Sequence, residues 1–114
     1  MDHGMYDSWY IESIVKAYKH CDKSFFFYNE TGIPQEIRCF WDAEYMAEGQ
    51  KREIQIIYNN RYYKAHVIHS HNRTRLRWQK DLAEQISKHF DVDDYPVASF
   101  TKEGKDRYVL GIIS

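Results

Sequence analysis

Residues 51–80, KREIQIIYNNRYYKAHVIHSHNRTRLRWQK, constrain the fold more than any other stretch of these 114 residues. Ile54, Ile56 and Tyr58 alternate with Glu53, Gln55 and Ile57. After Asn59-Asn60, Tyr63, Ala65 and Val67 alternate with Tyr62, Lys64, His66 and Ile68. A period of two puts each set on one side of an extended chain. An Asn-Asn step tolerates the left-handed region, so the spacing predicts a tight hairpin. Beyond Ser70-His71-Asn72 the alternation resumes, with Thr74, Leu76 and Trp78 on one face and Arg73, Arg75 and Arg77 on the other. Three such runs in succession call for a sheet with one buried face.

The same stretch segregates charge. It holds eight Lys and Arg against a single acid, Glu53, leaving eight basic and sixteen acidic residues for the rest of the chain. A formal net charge of −1 therefore hides a basic sheet region. Arginines at every second strand position stand roughly 6.5–7 Å apart, near the spacing of successive phosphates along one nucleic-acid strand. Each guanidinium can bond a phosphate bidentately or read guanine in a major groove. Such a field points first to a polyanion partner. The plainer alternative is a solvated basic face balanced by acidic helices, its arginines paired with Glu53 or with acids of the following helix.

Elsewhere the pattern predicts one domain, residues 1–114, with a loose start over residues 1–6. Tyr10, Ile11, Ile14, Val15, Tyr18 and Cys21 fall at three- and four-residue spacings, which predicts an amphipathic helix from Asp7, capped by Asp7 or Ser8. Trp9 belongs either to its core face or to a partner surface. Residues 24–28, SFFFY, read as a short apolar strand, and residues 29–32, NETG, as a turn. Pro34 suits the first position of a short helix that turns Ile37, Phe40 and Trp41 inward, and Gly49 closes that connection. Residues 80–90 read as a second helix around Leu82, Ala83, Ile86 and Phe90. Residues 97–101 and 107–113 form a closing strand pair, the last apolar on both faces and so central. The fold class is α+β: a small, mostly antiparallel β pseudobarrel with an N-terminal helix and a second helix after the arginine-rich strand.

Little in the chain suggests catalysis. It has no phosphate-cradling glycine loop and no nucleophile elbow, and most acids lie outside the basic stretch. No enzyme activity, metal or cofactor is expected. His66, His69 and His71 are close in sequence but lack an evident fourth ligand, and residues 91–96, DVDDYP, lack the glycine and downstream glutamate of a calcium loop. Cys21 and Cys39 are expected to be small apolar thiols rather than a disulfide. No apolar run suits a membrane span and no leader pattern is present, so a cytoplasmic location without membrane contact is expected.

Residues 28–32 (YNETG), 33–41 (IPQEIRCFW), 54–67 (IQIIYNNRYYKAHV), 73–82 (RTRLRWQKDL) and 98–113 (ASFTKEGKDRYVLGII) together resemble a bacterial domain attached to restriction-type nucleases. The order is similar to the amino-terminal effector domain of EcoRII-like enzymes, a DNA-binding pseudobarrel also used by plant transcription factors. The resemblance implies two arms entering a major groove, with Asn29 and Thr31 near one and Arg73, Arg75 and Arg77 near the other. This chain lacks the longer glycine- and histidine-rich insertion that often follows the Asn-acid-Thr-Gly turn. The reading is then a non-enzymatic module for duplex DNA, its candidate contacts Asn29, Thr31, Arg61, Lys64, His71, Arg73, Arg75, Arg77 and Lys80. The rival is a protein-binding inhibitor or adaptor of phage or mobile-element type, acting on a nuclease subunit or host defence protein through Trp9, Tyr10 or Trp41. A third reading has Tyr58, Tyr62, Tyr63 and Trp78 forming a cage for a modified or flipped base.

Overall fold

The computed structural model describes residues 4–6 and 8–114, with side chains from residue 8 onward. The described residues form nine strands: β1 (Gly4–Tyr6), β2 (Trp9–Ser13), β3 (Lys16–His20), β4 (Glu30–Ile33), β5 (Gln50–Tyr58), β6 (Arg61–Ser70), β7 (Arg73–Trp78), β8 (Val97–Gly104) and β9 (Arg107–Ile113). They make one sheet in the order β1-β2-β3-β8-β9-β5-β6-β7-β4. Every pairing is antiparallel except β5 with β9. Helices α1 (Lys23–Phe27) and α2 (Lys80–Ser87) and a 3-10 helix, Gln35–Trp41, complete an α+β pseudobarrel.

The hairpin forms as its alternation requires. Asn59 and Asn60 take φ of 49° and 64°, and Tyr58 pairs with Arg61 across them. His71 and Asn72 repeat the device at 53° and 59°, carrying β6 into β7. Ile54, Ile56, Tyr58, Tyr63, Ala65, Val67, Leu76 and Trp78 are buried. Strand β9 sits in the middle of the sheet between β8 and β5, as its two apolar faces demand.

The N-terminal third departs from the expected helix. Residues 9–20 are two strands, with Trp9 and Ile11 buried on one and Ala17 and Lys19 on the other. Each strand alternates, but the turn at Ile14 and Val15 resets the phase, and the combined spacing imitates a helical face. Ile14, Val15 and Tyr10 from that supposed face are exposed. Asp7, proposed as a cap, and residues 1–3 of the expected loose start lie outside the described residues, whereas Gly4–Tyr6 pairs with β2. The strand expected at residues 24–28 is instead α1, because the Asp22 carboxylate accepts from the Phe25 amide at 3.1 Å and caps a helical turn. Phe25 then packs on Trp78 with ring centroids 4.6 Å apart.

Among the described residues a side-chain hydrogen bond spans the barrel where no ladder does. The Trp9 indole N–H on β2 donates to the Gly32 carbonyl on edge strand β4 at 2.8 Å. Trp9 also meets Trp41 edge-on at 5.9 Å, and Trp41 packs on Phe100 and Tyr108 at 5.1 and 4.5 Å. The carbonyls ending the 3-10 helix are taken up by cations and a phenol, a favourable use of positive charge at a helix C-terminus. Arg52 donates to the carbonyls of Trp41 and Asp42, Lys102 pairs with the Asp42 carboxylate at 2.9 Å, and the Tyr108 hydroxyl donates to the Phe40 carbonyl at 3.3 Å.

Replacing Trp9 with Phe keeps most of the apolar packing and removes the closing bond. Unfolding in urea should show a loss of about 1–2 kcal/mol. An unchanged midpoint would mean that the seam is held by packing alone.

Candidate nucleic-acid interface

The outward side chains of β5, β6, β7 and β4 form one exposed face. Pairing in register sets them in rows. Lys51, Ile68, Arg75 and Gly32 lie side by side, and Glu53, His66, Arg77 and Glu30 lie in the next row. Gln55 and Lys64 continue the face one way, and Ser70 and Arg73 continue it the other. Rows two residues apart are roughly 6.5–7 Å apart. Five cations (Lys51, Lys64, Arg73, Arg75 and Arg77) thus face out beside two carboxylates, Glu30 and Glu53.

Glu30 governs the arginine row and was not singled out in the sequence. It bonds Arg77 at 3.0 Å and Arg75 at 3.4 Å, and Arg75 also reaches the Ser70 hydroxyl at 3.4 Å. One carboxylate therefore orders two guanidiniums and neutralises only one charge. Arg73 has no ion pair among the described residues, and Lys64 meets Glu53 at 3.7 Å. Burial and the ammoniums of Lys51 and Lys64 hold the His66 imidazole below its ordinary range, against the pull of Glu53.

The other candidates distribute unevenly. Lys80 is exposed at the start of α2, 4.0 Å from Glu84. His71 is exposed in the left-handed turn beside Arg73. Asn29 is half-buried at φ 55°, and its carbonyl accepts from the Trp78 amide at 3.0 Å, tying the entry of β4 to the end of β7. Arg61 is exposed at the tip of the hairpin, remote along β6 from the arginine row. Thr31 is not at the surface: it is 1% exposed, because residues 30–33 form a strand whose alternation turns Glu30 and Gly32 outward. The basic stretch likewise gives one charge to architecture, since Arg52 forms an ion pair with Asp106 at 3.0 Å and donates to the carbonyls at the end of the 3-10 helix.

Two further expectations change. Tyr58, Tyr63 and Trp78 are buried while Tyr62 is 62% exposed on the opposite side of the hairpin, so the four form no cage. Trp9 and Trp41 are wholly buried and offer no partner anchor. The histidines diverge: His66 faces outward, His69 is buried against the Thr74 hydroxyl at 2.9 Å, and His71 occupies a turn. Asp91 and Asp94 accept from backbone amides of the turn they flank. Cys21 and Cys39 are free thiols, and burial pushes the Cys21 thiol up to about 12. Among the described residues no helix is long and apolar enough to cross a membrane.

Fold and face together define a small α+β pseudobarrel with one basic, in-register sheet surface. No family model and no curated protein matches the chain. Among solved structures it is similar in fold to the N-terminal domain of Helicobacter pylori LlaJI.R1, with a TM-score of 0.64 and 19% identity. The match covers 87% of this chain and 81% of that one.

Glu30→Gln separates order from charge on this face. Both ion pairs are partly exposed, and each contributes under about 1 kcal/mol. Thermal unfolding should therefore fall by only a few degrees, and added salt should shrink the difference from the unsubstituted chain. A collapse of the fold would show that Glu30 is a keystone rather than a counter-charge.

Proposed function

We propose that the chain is a non-enzymatic module that binds duplex DNA across the outer face of β5, β6, β7 and β4. The observation that carries this reading is the in-register cation array, Arg73, Arg75 and Arg77 beside Lys51 and Lys64, on a rigid exposed sheet. Regular spacing matched to a phosphate chain gives an electrostatic term that depends little on base sequence. Base reading is assigned to the rim, where His71 and Asn29 stand near the two ends of β7. The fold shared with the N-terminal domain of LlaJI.R1 supports placing the chain with restriction-associated pseudobarrels, in line with the motif order of residues 28–113.

Glu30 then acts as a stand-in anion. It keeps Arg75 and Arg77 extended in the free protein and is displaced, in part, as phosphates arrive. Its presence also favours the rival, a protein-binding surface in which the arginine row serves stability. That rival has lost two of its three aromatic anchors to the core, leaving Tyr10.

Titrating a labelled duplex over a range of salt distinguishes the two. Arg73→Ala should lower the slope of log affinity against log salt by about one unit, and replacing all three arginines by alanine should lower it by two to three. Glu30→Gln should tighten binding. Slopes and affinities unchanged in every variant would discard the DNA reading.

His66 adds a pH dependence. Burial and neighbouring cations lower the affinity of its imidazole for a proton, and phosphates covering the face would offset those cations and raise it. Affinity should rise as pH falls from about 7.5 to about 5.5, across the ordinary histidine range. His66→Gln should flatten that rise, and an equally steep rise in the variant would exclude His66 as its source.

A further inference from the structure

Strands β2 and β3 approach β4 at the far side of the sheet without a ladder, and beside the Trp9–Gly32 bond an open cleft of about 580 Å³ remains. Its walls come from β3, the 3-10 helix, β4 and β7, and they bring four cations together: Lys19, Arg38, Arg73 and Arg75. Two carboxylates, Asp22 and Glu30, line the same space. Lys19 and Arg38 lie outside the basic stretch of the sequence.

The four cations are not equally committed. Lys19 is buried, bonds the Ser8 hydroxyl at 2.5 Å and stands 3.7 Å from Asp22, so it supplies field rather than a free donor. Arg75 is shared with Glu30. Arg38 and Arg73 have no ion pair among the described residues, and the Arg38 Nε is buried without an acceptor there. Two uncompensated guanidiniums thus reach one polar cleft from separate elements, with a buried ammonium behind them.

We propose that this seam cleft is a phosphate-binding pocket in which Arg38 and Arg73 clamp a phosphate monoester or diester group. A tetrahedral phosphate presents three or more oxygens, so two guanidinium forks can engage it at once. Asn72 and Gln35 supply amide donors at the rim. In the duplex reading the group is a backbone phosphate next to the arginine face, since Arg73 belongs to both surfaces; that assignment rests on the DNA-binding proposal. A free phosphate or mononucleotide presents the same chemistry.

The test uses inorganic phosphate and a labelled duplex with the full chain, Arg38→Gln and Arg73→Gln. Arg73 is exposed, so its variant remains informative should Arg38→Gln fold poorly. At fixed ionic strength, replacing chloride by phosphate should raise the melting temperature of the unsubstituted chain by several degrees, and the variants should lose that rise. Arg38→Gln should also lower the duplex salt slope by about one unit if the pocket takes a backbone phosphate, whereas Arg73→Gln lowers it through the open face in either case. A lost phosphate response with the duplex slope unchanged in Arg38→Gln supports the pocket and assigns it to a free phosphate or nucleotide. The same loss in a chain that binds no duplex supports the pocket while removing the DNA reading. No phosphate response in the unsubstituted chain, or a response retained by both variants, overturns the proposal.

Discussion

The indole of Trp9 is the constraint from which the architecture follows. Among the described residues no backbone ladder joins β2 to β4, and a side-chain donor on β2 reaches the carbonyl of Gly32 on β4. The ring that makes this bond also packs against Trp41 and Phe100, so closure and core formation are one event. The 3-10 helix bearing Trp41 is fixed in turn by Arg52, Lys102 and Tyr108 on three strands.

Charge in this molecule is sorted by strand parity. On β5, Arg52 points inward and is spent on carbonyls and Asp106, while Lys51 and Glu53 point outward. On β7 the same rule sends Arg73, Arg75 and Arg77 to the surface and Thr74, Leu76 and Trp78 to the core. Glu30 enters from the neighbouring edge strand at the one register where it touches two guanidiniums. The balance is asymmetric, with ordered side chains and most of the positive potential left over.

What could be read from the residues alone followed the range of the interactions involved. The Asn59-Asn60 hairpin and the orientation of the arginine strand were legible because period two and left-handed turn residues act locally. Residues 9–20 were misread because two five-residue strands joined by a phase-shifting turn reproduce helical spacing. Thr31 was assigned to a turn, although its neighbours pair with β7 and drive it inward. Glu30 as partner of Arg77, 47 positions away, and Lys19 and Arg38 beside Arg73 depend on contacts that form only when the edges meet. No local pattern encodes them.

The order of the strands has a consequence for synthesis. Strand β3 reaches the rest of the sheet only through β8, and β5 pairs on that side only with β9. Until residues 97–113 leave the ribosome, the nascent chain holds two incomplete sheets with bare inner edges at β3 and β5. Those edges are open to pairing with other chains, and the joining contacts span long sequence separations, which slows folding. Insertion of the β8–β9 hairpin between two waiting halves makes closure of this barrel wait on the strands that are made after all the others.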